Sequence, residues 1–201
     1  EAAGKYPNIA REVRGAKTRK GFNRDAMTPA QVRAVLSAGG DPRETALLTL
    51  LFTTGLRTIE VARADVGDLR TQGDRTVLYV QGKGRDAKDD FVVLPSQAAG
   101  AVYAYLETRG TLRDDAALFA GAGNRNRGRL TTRTVRRIVK AAYSRAGINS
   151  PRITAHSTRH TAVTLCLAAG ATLQEAQALA RHTNIATTQI YAHNLDRLSA
   201  G

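Results

Sequence analysis

Acidic residues are scarce in this 201-residue chain: 17 Asp and Glu stand against 30 Lys and Arg, a formal net charge of +13 at pH 7. Cysteine is nearly absent. The single Cys166, in the apolar stretch TLCLAAG, excludes an internal disulfide and predicts a buried thiol in the reducing cytoplasm. No apolar run approaches the roughly 20 residues of a membrane span, and no signal pattern opens the chain. We therefore expect a cytoplasmic protein with no membrane partner.

The shortage of acids predicts a polyanion as partner. The excess charge lies mainly in two stretches. Residues 1–27 are rich in Lys and Arg without an apolar period, which predicts a basic arm or linker, followed by one domain over residues 28–201. Because the chain begins with Glu1 and not with Met, we expect a piece of a longer protein.

The second basic stretch, residues 124–145, contains no acid. On a helix from Thr131 to Ala146, the helical period places one set of basic residues on a single face: Arg133, Arg136, Arg137 and Lys140. The opposite face carries apolar residues: Val135, Ile138, Val139 and Ala142. The helix is therefore predicted to pack on one side and to bind phosphates on the other, although a merely solvated basic face is the simpler alternative.

Capping patterns predict a mainly helical domain with a small antiparallel β-sheet. Thr28, Pro29 and Gln31 mark one helix start, and Asp41, Pro42 and Glu44 mark the next. The β-branched runs RTVLYVQG and DDFVVLP predict a hairpin or part of a small sheet. Further helices are predicted over Arg57–Arg63, Ser96–Thr108, Thr131–Ala146, Ala155–Ala169, Thr172–Ala180 and Asn184–Asn194.

Two places concentrate groups that could bind an anion. His156 and Arg159 lie three apart at a helix start, so their side chains emerge at neighbouring positions. Arg57 follows the apolar stretch LLTLLFTTGL, which predicts a charge held close to the core and in need of a partner. Glu60 is the nearby candidate, either pairing with Arg57 or tying down the loop.

Other chemistries fit these residues poorly. His156 and His160 have the spacing of a helical zinc site, but the intervening residues carry a cation and lack an acid. No phosphate-binding GxxxxGK[ST] loop occurs, and no acid near Ser157 completes a hydrolase triad. We expect neither a metal nor another cofactor.

At this point the chain resembles a known family, the tyrosine recombinases, which include phage and conjugative-transposon integrases. TGLRTIEVARADVGDL is similar to the family's first arginine motif, and HSTRHTAVTLCLAAGA to its His-x-x-Arg-His motif. LARHTNIATTQIYAH is similar to its final motif, which contains a histidine and the nucleophilic tyrosine. The order and spacing also match, over about Thr28 to His193.

The resemblance implies that Tyr191 attacks a DNA phosphodiester, joins the 3′ phosphate and releases a 5′ hydroxyl. It also implies that Arg57 and Arg159 bind the non-bridging oxygens, and that His156 and His182 donate hydrogen bonds or assist proton transfer. We expect two further residues to support the site, Glu60 as structural support and His160 through capping, packing or contact with the catalytic groups. Taken alone, Tyr191 would more often be a helix residue packing its ring on the core, as expected for Tyr103 and Tyr105.

The family also places a lysine on a β-hairpin loop, where it protonates the leaving oxygen. Lys83 matches that position, and Lys88 competes with it. This loop departs from the family in carrying Asp86, Asp89 and Asp90, which should repel a DNA backbone. A second departure is Ala180-Arg181 before His182, where the family commonly has Leu-Gly.

The resemblance implies double-stranded DNA as partner, a missing N-terminal DNA-binding domain before the basic arm, and a homo-tetramer acting on two DNA sites. Two rival functions stay open. One is an inactive DNA-binding module of the same fold, and the other is a type IB topoisomerase-like enzyme that relaxes DNA. Trapping a covalent adduct separates the first rival from the enzymes, and strand exchange separates a recombinase from a topoisomerase.

Overall fold

A computed structural model describes residues 25–82, 86–121 and 128–198, with side chains described as far as Tyr191. In chain order the elements are α1 (Pro29–Ser37), α2 (Pro42–Thr54), α3 (Thr58–Arg63), a 3-10 turn (Val66–Asp68), β1 (Leu69–Gln72), β2 (Arg75–Val80), β3 (Asp90–Leu94), α4 (Ser96–Glu107), α5 (Thr132–Arg145), α6 (Ser157–Ala168), α7 (Leu173–Ala180) and α8 (Ile185–Leu198). The predicted fold class is confirmed. None of the described helices is both long and apolar enough to cross a membrane.

Helix α2 is the centre of the main core. Because its sequence is apolar on nearly all sides, it is buried around most of its circumference and packs against α4, α6 and β3. The predicted caps form: Asp41 accepts the backbone N–H of Glu44, and Thr28 makes a reciprocal capping box with Gln31. Met27, the last residue of the predicted arm, is also buried, and its N–H donates to Thr161 Oγ1 at 2.9 Å.

The sheet has three antiparallel strands in the order β1-β2-β3. Val77 pairs with Val93, and Tyr79 with Phe91, across the predicted hairpin. Strand β1 went unpredicted because Arg70, Thr71 and Gln72 are polar and exposed and give no apolar alternation.

A second, smaller apolar cluster joins α6, α7 and α8. Its buried members are Val163, Leu167, Ala176, Ala180 and Tyr191. Helix α6 therefore packs both against α2, which belongs to the main core, and against α8, which carries Tyr191.

Two predictions about burial were wrong. Tyr105 is buried as expected, but Tyr103 is 41% exposed because it lies on the outer face of α4. Cys166 is only half-buried, whereas its helix neighbours Val163, Thr164 and Leu167 are buried.

Candidate active site

Arg57 and Glu60 are joined by an ion pair and a second hydrogen bond at the start of α3. Gly55 ends α2 in the left-handed conformation, with φ of 61°, and this turn delivers the chain to Arg57. The Arg57 backbone N–H donates to Glu60 Oε2 at 2.7 Å, and its Nη1 donates to Oε1 at 2.8 Å. The two roles that the sequence left open for Glu60, ion pair and loop tie, therefore occur together. Glu60 is 1% exposed.

Arg159 is held from two sides. It is 2% exposed, its Nη1 donates to the carbonyl of Gly55 at 2.8 Å, and its Nη2 donates to the carbonyl of Ala180. Burial, reinforced by the neighbouring charge of Arg57, lowers the pKa of Arg159 to about 10, so the group stays charged at neutral pH. Because a guanidinium has five N–H donors, these two bonds fix its plane and leave donors for an anion.

Tyr191 lies in the small cluster of α6, α7 and α8 and is 3% exposed. Its ring centroid lies 5.1 Å from that of His160 and 5.9 Å from that of His182. Burial raises the pKa of Tyr191, and the nearby charges of Arg159 and Arg57 partly offset this effect. At neutral pH the phenol is therefore protonated in this arrangement.

His182 is fixed by contacts at both ends of the residue. Its Nδ1 is 2.9 Å from Thr188 Oγ1, and its carbonyl accepts a bond from Gln177 Nε2 at 2.9 Å. Burial lowers the pKa of His182 to about 4, and the charge of Arg159 contributes to this shift. The imidazole is thus neutral at pH 7.

The start of α6 supplies two further histidines. His156 is exposed at the N-cap of α6, and His160 is buried one turn later. The two rings meet edge to face with centroids 5.0 Å apart. His160 thus contacts the rings of both His156 and Tyr191, and its supporting role stays a prediction. Within the described residues, no three His, Cys, Asp or Glu side chains lie close enough together to hold a metal ion.

These residues line one cavity of about 470 Å³. Its lining includes Arg57, Glu60, Asp90, His156, Arg159, His160, Arg181, His182 and Tyr191. The fold therefore brings together, from helices α6 and α8 and from the loops before α3, α6 and α8, the described residues to which the sequence assigned catalysis. Lys83 lies outside the described residues.

The second hairpin lysine, Lys88, is engaged elsewhere. Its Nζ donates to Asp65 Oδ2 at 2.5 Å and also binds Asp68. Neither carboxylate lines the cavity of the site. Lys88 is therefore used within the fold, and the choice of Lys83 over Lys88 stays a prediction because Lys83 is not among the described residues.

The basic face of α5 borders the site. Its four predicted residues, Arg133, Arg136, Arg137 and Lys140, are exposed, whereas Val135, Val139 and Ala142 are buried. Arg136 and Lys140 line a groove of about 750 Å³ that shares Arg57, His156 and Arg159 with the site cavity. Of the loop before α5, Arg129 binds Asp65 and two backbone carbonyls, so it is used within the fold.

Two residues outside the predicted set of site residues, Thr188 and Arg181, also contribute to the site. The hydroxyl of Thr188, in the first turn of α8, forms a hydrogen bond with His182 Nδ1. Arg181 Nη2 donates to Glu60 Oε2 at 2.6 Å. The only signal for Arg181 was the departure from Leu-Gly. The structure resolves what that departure does to the loop, because Arg181 itself adopts the left-handed conformation that favours glycine, with φ of 50°.

Comparison with known proteins agrees with this geometry. The tyrosine recombinase XerC of Corynebacterium glutamicum is 38% identical over 152 residues, which are 75% of this chain and 46% of that protein. The crystal structure of XerA recombinase matches with a TM-score of 0.70 at 28% identity, covering 83% of this chain and 59% of that one.

The crystal structure of XerH site-specific recombinase, in a post-cleavage complex with palindromic difH substrate, matches in fold with a TM-score of 0.71. Its identity is 21%, over 89% of this chain and 52% of that one. The chain spans about half the length of the relatives that it matches. Residues 25–197 match the phage integrase family. The resemblance to the tyrosine recombinases is confirmed, and the chain belongs to the phage integrase family.

Proposed function

We propose that this chain is the catalytic domain of a site-specific DNA recombinase that cleaves and rejoins strands through a covalent 3′-phosphotyrosine on Tyr191. The observation that carries the proposal is the shared cavity of Arg57, His156, Arg159, His182 and Tyr191. Two cations, two imidazoles and a phenol are the groups that a metal-free transfer of a phosphodiester to tyrosine needs.

Arg57 and Arg159 bind the non-bridging oxygens of the scissile phosphate. Both guanidinium groups are held in place by other protein groups, Glu60 for Arg57 and two backbone carbonyls for Arg159. Their charge therefore meets the growing negative charge of the transition state without reorganising first. Burial of Arg159 strengthens this attraction because little water screens it.

The phenol oxygen of Tyr191 attacks phosphorus and loses its proton as the new P–O bond forms. The bond to the 5′ oxygen breaks, and that oxygen leaves as a hydroxyl after gaining a proton. His182 is neutral at pH 7, so it can accept a proton or donate a hydrogen bond, and His156 faces the same cavity. Lys83 remains our prediction for the donor to the leaving oxygen.

Because one phosphodiester replaces another, the number of P–O bonds is unchanged. Ligation is the same reaction in reverse, with the 5′ hydroxyl attacking the phosphotyrosine. The scheme therefore uses only side chains of this chain and the DNA.

Double-stranded DNA is the proposed partner, lying along the groove that joins the α5 basic face to the site. XerH, which shares this fold, is described in complex with its difH substrate. A homo-tetramer on two DNA sites, with residues 1–27 linking to an N-terminal DNA-binding domain, remains part of the proposal.

The test is covalent trapping by the full-length protein on a nicked suicide substrate carrying its own element's ends, without metal or ATP. Tyr191→Phe is the variant and Tyr103→Phe the matched control, because Tyr103 is an exposed tyrosine on α4. We expect a protease-sensitive protein–DNA band for wild type and Tyr103→Phe only. DNA binding without an adduct would instead indicate an inactive DNA-binding module.

A further inference from the structure

Arg181 occupies a position that is costly for an arginine. With φ of 50° and ψ of 48°, it is the one residue other than glycine with positive φ within the described ranges. A side chain in this conformation costs about 1 kcal/mol relative to glycine. The helix end that imposes it is fixed by backbone bonds to the carbonyls of Ala178 and Gln177.

The side chain adds a second cost. It is 10% exposed, and within the described residues its buried Nη1 has no hydrogen-bond partner. An unsatisfied buried donor is unfavourable. Both costs have to be offset by the other contacts of this arginine.

The contacts of Arg181 point to the cavity. Its Nη2 donates to Glu60 Oε2 at 2.6 Å, and its Nε lies 3.4 Å from Asp90 Oδ2. Both carboxylates line the cavity together with Arg57 and Arg159. Among the described lining residues, three guanidinium groups face two carboxylates, which leaves a net positive charge when the histidines are neutral.

Without Arg181 the charges of these lining residues would cancel, and Asp90 would face the phosphate site uncompensated. We propose that Arg181 is a positioning residue that neutralises Asp90 and shares Glu60 with Arg57, so that the charge of Arg57 and Arg159 is available to a DNA phosphate. This inference rests on the proposed function, because the phosphate is its ligand.

The test compares single-turnover cleavage by full-length wild type, Arg181→Gly, Asp90→Asn and the double variant. Glycine suits the backbone at position 181, so Arg181→Gly is expected to fold. We expect Arg181→Gly to cleave at least about tenfold more slowly, and Asp90→Asn to restore most of that rate in the double variant. Arg113→Gly, which removes a surface arginine with an 87% exposed side chain, should behave as wild type.

Asp90→Asn alone keeps the inference testable even if Arg181→Gly does not fold. Removing this carboxylate should make cleavage faster than wild type, by roughly 2- to 10-fold. A slower Asp90→Asn enzyme, wild-type rates for Arg181→Gly, or no recovery in the double variant would each overturn the inference. If wild type itself forms no adduct, the proposed function fails instead.

Discussion

The arginines of the cavity and the basic residues of α5 carry the same charge but are held in opposite ways. Arg57, Arg159 and Arg181 are at least two-thirds buried and hydrogen-bonded to carboxylates or carbonyls. Arg136 and Lys140 are exposed on a helix surface beside them. Under the proposed function, this difference separates two tasks. The fixed, buried cations stabilise the transition state, whereas the solvated ones contribute DNA affinity that salt can screen.

Replacing a fixed cation should have the largest effect. Arg159→Lys keeps a positive charge but loses the planar fork that binds Gly55 and Ala180. We expect the single-turnover cleavage rate to fall about 10²- to 10³-fold with little change in DNA affinity. Arg113→Lys is the matched surface control. A matching loss of rate and affinity would show that Arg159 acts through binding alone.

The second-largest effect is expected from removing the charge of Glu60, which holds Arg57 and Arg181 in place. Glu60→Gln keeps the size of the side chain but leaves Arg57 and Arg181 without their shared anion. We expect the free energy of unfolding to fall by about 1–3 kcal/mol in urea titrations, together with slower cleavage. Unchanged stability would mean that solvent compensates these cations and that the network is not fixed by Glu60.

Substitutions on the basic face of α5 should change DNA affinity and not the rate of cleavage. Arg136→Ser with Lys140→Ser should weaken DNA binding for all sequences while leaving the cleavage rate of bound complexes near wild type. The slope of log K against log salt should become shallower by about 1.8. Arg75→Ser with Arg113→Ser removes the same charge at two exposed positions and should leave the slope unchanged. An unchanged slope for the α5 variant would place the DNA elsewhere.

The smallest expected effect is the pH dependence from His182. The folded protein releases this proton with a pKa of about 4, and the reference value is 6.5. The unfolded chain therefore binds more protons between these values, so His182 contributes stability above pH 6.5 that is lost as pH falls toward 4. NMR of the imidazole should show no titration between about pH 5.5 and 8. A midpoint near 6.5, or an unchanged stability profile in His182→Asn, contradicts this.

The sequence predicted features that depend on neighbours along the chain. Thr28 and Asp41 cap their helices through side chains three residues from their partners, and Arg57 finds Glu60 at the same spacing. The two faces of α5 likewise follow from the helical period. Local geometry alone is enough to specify these contacts.

The remaining features depend on contacts distant in sequence. Arg181 reaches Glu60 across 121 residues, and Lys88 binds Asp65 and Asp68 from the far side of a hairpin. No periodicity encodes such pairs. Arg181 also contradicts the local preference for glycine at positive φ, so its place could be found only from the folded chain.

The central claim is that Tyr191 becomes joined to DNA, and mapping the adduct by mass spectrometry tests it most directly. The full-length protein is trapped on its suicide substrate, the DNA is trimmed with nuclease, and the chain is cut after arginine. Tyr191 is the single tyrosine of the resulting peptide 182–197. We predict a nucleotide linked through phosphate to Tyr191. An adduct on another residue, or none while DNA stays bound, would contradict the account.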